Sequence, residues 1–283
     1  IVKECVTHVD RPVVFDCAGK YGAGLALEML GSCLQKLNIS PDNVIISNKL
    51  GWTRVPLKSS EPTFEPGVWH NLKFDAEQHI SYDGIIACWE QGNELLGGLY
   101  KPQLVSVHDP DEYVSKASNP KEKQILFGHI LDAYRALSDL KKKGKVKAVG
   151  VGAKKWKIIE QISKYIDLDW VMFANSMTIM HHPPELLNFM KQLENKGVGI
   201  INSAVFHGGF LTGGSFFDYV LIKPDTPENI ARFKWRENFY SLCKEYGISP
   251  AAACVKFAMS PPGVLAISLN TSKPDRVKDN VES

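Results

Sequence analysis

The sequence predicts an α/β fold built on a parallel sheet. Short β-branched, apolar runs alternate with amphipathic stretches along all 283 residues, the order that lays helices over parallel strands. The runs are continuously apolar rather than alternating, as expected of strands buried on both faces. They lie at 13–15, 44–47, 104–107, 148–151, 170–174, 199–202 and 264–269. Seven strands suit an open doubly wound sheet, whereas a closed (β/α) barrel takes eight.

Each element has a local reason. Residues 1–9 read as the end of a helix that leads directly into the first strand. One strand is therefore expected before Ile1, with 1–283 a single domain incomplete at its N-terminus. Residues 24–37 place Leu30, Cys33, Leu34 and Leu37 on one helical face. Helices follow at 82–96 and 125–143; the second ends in Lys141-Lys142-Lys143-Gly144. Lysines in a last turn followed by glycine stop a helix and complement its negative end. Further helices are expected at 154–162, 184–195 and 232–246, and Ser249-Pro250 opens another through Met259. Residues 274–283 read as the start of a last helix, cut short. The longest break, 51–81, carries Trp52, Phe64, Trp69 and Phe74. A long aromatic loop after a strand is functional, packs its own small cluster, or does both.

Composition narrows the class. Hydrophobic residues make up 44% and charged residues 23%, ordinary for a globular domain. The net charge of +2 implies neither a nucleic acid nor an anionic membrane as partner. We find no apolar run long enough to span a bilayer and no signal-peptide pattern. The six cysteines are scattered without a C-x-x-C pair, which reads as free thiols in a reducing compartment, so a cytoplasmic location is expected.

Four polar residues stand at or just beyond strand ends. Asp16 closes Val13-Val14-Phe15, Lys49 closes Val44-Ile45-Ile46-Ser47-Asn48, and His108 closes Leu104-Val105-Ser106-Val107; Tyr21 sits in the glycine-rich loop after the first run. A free phenol has a pKa near ~10, and a neighbouring ammonium lowers it. A carboxylate holds the ammonium, and an imidazole can donate to or accept from the same substrate oxygen. Singly, Asp16 reads as a helix cap, Tyr21 as turn packing, Lys49 as a solvated strand end and His108-Asp109-Pro110 as a turn. Jointly they describe a proton-transfer site on one rim of a sheet or barrel. Gly22-Ala23-Gly24-Leu25-Ala26-Leu27 lacks the third small residue of a dinucleotide fingerprint, and no acidic residue closes the next strand, so that motif is rejected. His181-His182-Pro183-Pro184 has no third ligand at metal-binding spacing and reads as a loop entering a helix.

These residues resemble the aldo-keto reductase family. Asp16-Cys17-Ala18, Tyr21-Gly22 and Glu28-Met29-Leu30-Gly31 are similar to its signature around the catalytic Asp and Tyr. Ile45-Ile46-Ser47-Asn48-Lys49 and Val105-Ser106-Val107-His108 resemble the strands carrying its lysine and histidine. The stretches 144–152 and 209–213 are similar to its "G-K-x-R-x-x-G-V" and G-x-L-T-G segments. The resemblance covers nearly the whole chain in family order. It implies a (β/α)8 TIM barrel whose first strand is the one expected before Ile1.

The resemblance also implies catalytic Asp16, Tyr21, Lys49 and His108, and NADP or NAD bound in extended form. Cofactor contacts are implied at Asn175, Ser176, Ser203, Phe206, Asn270, Thr271, Ser272, Arg276 and Asn280, and a substrate wall at Trp52. Three nicotinamide positions depart from the family pattern: Gly152-Ala153 replaces Ser-Asn, Asn175-Ser176 replaces Asn-Gln, and the stacking tyrosine falls near Ser203. Arg276 matches an arginine able to meet adenine or a 2′-phosphate, while Asn270 replaces a lysine, which leaves NAD and NADP both open. The pieces 81–85, 107–111 and 149–152 resemble the branch acting on free sugars (fucose, threo-aldose and galactose dehydrogenases). Its members oxidise an aldose at C1 to a lactone. A broad aldehyde and ketone reductase, or a non-catalytic nucleotide-sensing subunit of the same fold, are the alternatives.

Overall fold

The computed structural model describes residues 1–218 and 220–282. The elements run α1 (Val2–His8), β1 (Val13–Ala18), α2 (Leu25–Lys36), β2 (Val44–Leu50), β3 (Trp52–Pro56), β4 (Phe74–Gln78), α3 (Tyr82–Leu95), β5 (Leu104–His108), α4 (Pro110–Ser115) and α5 (Pro120–Lys142). They continue through β6 (Ala148–Ala153), α6 (Trp156–Ile162), β7 (Trp170–Ala174), α7 (Pro184–Asn195), β8 (Gly199–Ser203), β9 (Phe216–Phe217), β10 (Val220–Leu221), α8 (Pro227–Glu245), α9 (Pro250–Met259), β11 (Val264–Ser268) and α10 (Arg276–Glu282).

All seven expected strands form. They make one sheet in the order β1-β2-β5-β6-β7-β8-β11, every neighbouring pair parallel. The spatial order never reverses, whereas a doubly wound sheet has a switch point where it does. The winding is that of a (β/α) barrel: a curled arc with helices outside. Helix α1 packs against α10 and α2.

Side-chain alternation divides each strand between two environments. Cys17, Ile46, Val105, Val107, Val149, Val151, Val171 and Phe173 belong to the buried layer shared with the helices. Ile130, Tyr134 and Leu137 of α5 and Leu186 and Met190 of α7 fill its main cluster. Asp16, Ser47, Lys49, Ser106 and His108 occupy the alternate positions, on the inner face of the arc. The strands therefore run past the points where the apolar pattern stops: β1 to Ala18, β2 to Leu50. Asp16 lies inside its strand rather than at its end, because Asp16 pairs with Ser47 and Ala18 with Lys49 in the ladder.

Other boundaries move for identifiable reasons. Helix α5 begins at Pro120, where Asn119 caps Glu122 N–H at 2.9 Å, and α8 begins at Pro227, where Thr226 caps Asn229 N–H at 3.2 Å. Their first turns are polar, so apolar periodicity starts later than the caps do. Helix α6 starts only at Trp156. The break at 51–81 contains the antiparallel hairpin β3–β4. Asp75 pins its loop by accepting from Thr63 N–H at 3.0 Å and Thr63 Oγ1 at 2.7 Å. Phe64, Ala76 and Ala23 are buried in a small cluster with Trp52, Trp69 and Leu72, so the loop packs its own core against the turn after β1.

Gly150 and Trp170 face each other across β6 and β7. A Cβ at Gly150 would sit 2.2 Å from the Trp170 ring, and an indole walled in by the sheet has little room to retreat. Gly150→Ala is expected to cost about 1–3 kcal/mol by overpacking. Thermal unfolding should then shift down by several degrees; an unchanged midpoint would show that Trp170 is free to move.

Candidate active site

The inner face of the first three parallel strands brings the four polar residues together. Lys49 Nζ forms an ion pair with Asp16 Oδ2 on the adjacent strand. Ser47 Oγ donates to the other carboxylate oxygen of Asp16 at 3.0 Å. Lys49 is 5% exposed, and its ammonium lies 4.9 Å from the centre of the Tyr21 ring. The His108 ring stands edge-on to Tyr21, centroids 5.5 Å apart at 87°. Phenol, ammonium, carboxylate and imidazole thus form one contiguous group.

The loop after β1 aims Tyr21 by turning sharply. Gly22, Ala23 and Gly24 have φ of 59°, 52° and 82°, a left-handed run that is strained for alanine. The strain is held from outside: Arg54 of β3 donates from Nε to the Ala23 carbonyl at 2.7 Å and pairs with Glu28 at 2.8 Å. Gly19 is required by close approach, since a Cβ there would lie 2.5 Å from the Trp52 carbonyl oxygen. That carbonyl also accepts from Cys88 Sγ at 3.0 Å.

Electrostatics give each group a protonation state. Burial works against the charge on Lys49, but the Asp16 carboxylate and then Tyr21 outweigh it, so its pKa is raised and it stays ammonium. His108 is held well below the usual histidine range, by burial first and then by the nearby Lys49 and Lys20 charges. It is a neutral imidazole at pH 7. Tyr21 departs from the sequence expectation. Lys49 does pull its pKa down, but burial pushes it up by more, and the phenol ends above its ordinary value. It is therefore held protonated rather than partly ionised.

Of the residues implied for the cofactor, Asn175, Ser176, Ser203, Phe206, Asn270, Thr271 and Ser272 stand at or after the C-terminal ends of β7, β8 and β11. Asn175 N–H donates to the Ser203 carbonyl at 3.2 Å, which joins two of those ends. Asn175 has φ 58°, and its Oδ1 is buried without a hydrogen-bond partner among the described residues. An orphaned acceptor at this place fits the amide N–H of a nicotinamide carboxamide. Ser176 Oγ already donates to the Lys154 carbonyl at 2.6 Å, and Ser203 Oγ to the Phe173 carbonyl at 3.3 Å. Phe206 packs in the cluster around Phe210 and Phe217. Asn270, Thr271 and Ser272 follow β11 directly, Thr271 Oγ1 accepting from Lys273 N–H at 3.0 Å. Arg276 and Asn280 lie on α10. A cavity of about 720 Å³ opens along 154–157 and reaches Asn175, Ser176 and Arg232. Asp16, Tyr21, Lys49 and His108 are not among the residues lining it.

Sequence reasoning missed a second charged group at the same place. Lys20, 4% exposed, points its Nζ at Glu65 (2.7 Å), Asp109 (3.2 Å) and Glu112 (3.6 Å), and lies 5.1 Å from the Trp52 ring centre. Burial opposes its charge, yet the carboxylates, Asp109 foremost, raise its pKa. Lys154 also pairs with Glu112. Glu65 further accepts from Trp69 Nε1 at 2.8 Å. Adjacency of Lys20 to Tyr21 and of Asp109 to His108 was the only signal in the chain. Asp109, read as a possible turn residue, is the left-handed residue (φ 49°) that opens α4.

The depressed His108 pKa makes a stability prediction. Between that low value and the unfolded value near ~6.5, the unfolded chain binds the extra proton. The stability from keeping His108 neutral is present above ~6.5 and lost as pH falls below it. His108→Gln should flatten the fall in unfolding midpoint between pH ~6.5 and ~5; an unchanged slope would place the acid sensitivity elsewhere.

The aldo/keto reductase family model matches residues 8–283. Pyridoxal 4-dehydrogenase of Microbacterium luteolum is 27% identical over 284 residues, covering 94% of this chain and 78% of that protein. D-threo-aldose 1-dehydrogenase of a Pseudomonas species is 24% identical over 283 residues, covering 95% and 78%. Among solved structures, an aldo-keto reductase from Bacillus halodurans in its holo form superposes with a TM-score of 0.66 at 17% identity, covering all of this chain and 79% of that one. Glycerol dehydrogenase from Gluconobacter oxydans gives 0.63 at 16% identity, covering 99% and 83%. The barrel winding and the match along nearly the whole length agree: this chain belongs to the aldo/keto reductase family, and it is an oxidoreductase.

Proposed function

We propose that this oxidoreductase acts on free aldoses, oxidising C1 to the lactone with NAD or NADP. The observation that carries this is the contiguous group of Tyr21, Lys49, Asp16 and His108 on the inner face of the arc. The aldose preference draws on the sugar-dehydrogenase name of one relative. It also draws on the charged wall of Lys20, Asp109 and Glu65 beside the Trp52 ring. A polyhydroxylated ring can lay its C–H face on an indole and donate its hydroxyls to carboxylates.

When bound, the nicotinamide supplies or receives the hydride. The chain's own residues handle the proton. In reduction, Tyr21 Oη donates its proton to the carbonyl oxygen as the alkoxide develops. In oxidation Tyr21 first gives its own proton to solvent, and the phenolate then takes the proton of the hydroxyl. Lys49 favours the phenolate at that moment, and Asp16 keeps the ammonium in place. His108, neutral and buried, directs an N–H at the same oxygen. Asn175 Oδ1 would hold the carboxamide, and Arg276 on α10 the adenosine end. Trp52, fastened at its carbonyl by Cys88, would wall the substrate.

Tyr21→Phe removes the proton and nothing else of size. Turnover should fall by about 10²–10⁴-fold while cofactor affinity, read by fluorescence quenching, holds. A Tyr21→Phe enzyme with near-normal turnover contradicts the assignment. A steady-state screen of fucose, arabinose, galactose and pyridoxal oxidation with each cofactor, beside reduction of simple aldehydes, tests the substrate. Aldoses should give the highest kcat/KM; a higher value for pyridoxal or for simple aldehydes overturns the aldose reading.

A further inference from the structure

The residue after the catalytic histidine is an aspartate whose carboxylate turns back toward it. Asp109 Oδ2 lies 3.5 Å from His108 Nε2 and 3.2 Å from Lys20 Nζ. Its backbone is in the left-handed region, φ 49° and ψ 53°, where a non-glycine residue is kept by its surroundings. Those surroundings are Lys20, itself held by Glu65 from the loop between β3 and β4, and the α4 helix that Asp109 opens. The Asp109 side chain is 15% exposed, so it is fixed yet accessible.

We propose that Asp109 is the specificity residue for a hydroxyl on the carbon next to the reacting one. The reacting oxygen takes its hydrogen bonds from Tyr21 Oη and His108 Nε2 at about 3 Å each. A carboxylate oxygen 3.5 Å from the same Nε2 is within reach of substituents on the carbon next to the reacting one. The ionised carboxylate only accepts hydrogen bonds, so the group it favours there is a donor. Its contacts with Lys20 and with the neutral His108 both run through Oδ2, which leaves Oδ1 for a ligand. The donors of Lys20 are taken up by Glu65, Asp109 and Glu112, so it does not supply an anion site. An aldose carries such a hydroxyl at C2, and this inference deepens the aldose reading on which it rests.

The test compares substrates that differ only at that carbon: galactose with 2-deoxygalactose in oxidation, and 2-hydroxypropanal with propanal in reduction. A hydrogen bond to a charged acceptor corresponds to a preference on the order of 10- to 100-fold in kcat/KM for the hydroxylated member. Asp109→Asn should collapse that ratio toward one, as the amide is a weaker acceptor and loses Lys20. A wild-type ratio within about twofold of one overturns the assignment without any variant. So does a ratio that survives in Asp109→Asn, which would mean Asp109 acts only through His108. If no aldose is oxidised but 2-hydroxypropanal is preferred, the aldose reading fails and Asp109 keeps its role.

Discussion

The buried pair of Lys49 and Asp16 is the constraint on which the site depends. Two neighbouring parallel strands place an ammonium and a carboxylate on the same inner face, two residues apart in register. Neither charge would be kept there for stability alone, since an apolar pair of the same size commonly does as well or better. Removing one partner, however, leaves the other uncompensated, at a cost of about 3–5 kcal/mol. The pair therefore locks itself in place. It puts a fixed positive charge beside Tyr21, where the proposed proton transfer would develop negative charge.

Around that pair the chain builds a rigid wall from distant segments. Arg54 holds the strained turn that carries Tyr21. Lys20 ties that turn to Glu65 of the aromatic loop and to Asp109 and Glu112 of the short helix after His108. Gly19 lets the turn touch the Trp52 backbone. The long segment between β2 and α3 is thus fastened to the turn that carries Tyr21 by its hairpin, its aromatic cluster and one buried lysine.

Much of this was legible in the sequence because it depends on local pattern. The seven strands follow from continuous apolar runs, and Asp16, Tyr21, Lys49 and His108 stand out as polar residues interrupting or following them. What was not legible depends on contacts between residues far apart. The hairpin β3–β4 reads poorly because Asp75-Ala76-Glu77-Gln78 has little strand propensity; Asp75 and its hydrogen bonds to Thr63 hold it. Lys20 and Glu65 are ordinary charges in the chain, and only folding buries one against the other. The Tyr21 pKa was misjudged in sign because the lysine is visible in sequence order while the burial around the phenol is not.

The central claim is that Lys49 acts on a phenol that burial otherwise holds protonated. An ultraviolet titration of phenolate absorbance, taken as wild type minus Tyr21→Phe, reads Tyr21 directly. The account predicts a midpoint above the ordinary value near ~10, moving further upward in a Lys49→Met, Asp16→Asn double variant that removes the pair without leaving a lone charge. A midpoint below ~10, or one that the double variant leaves in place, would contradict it.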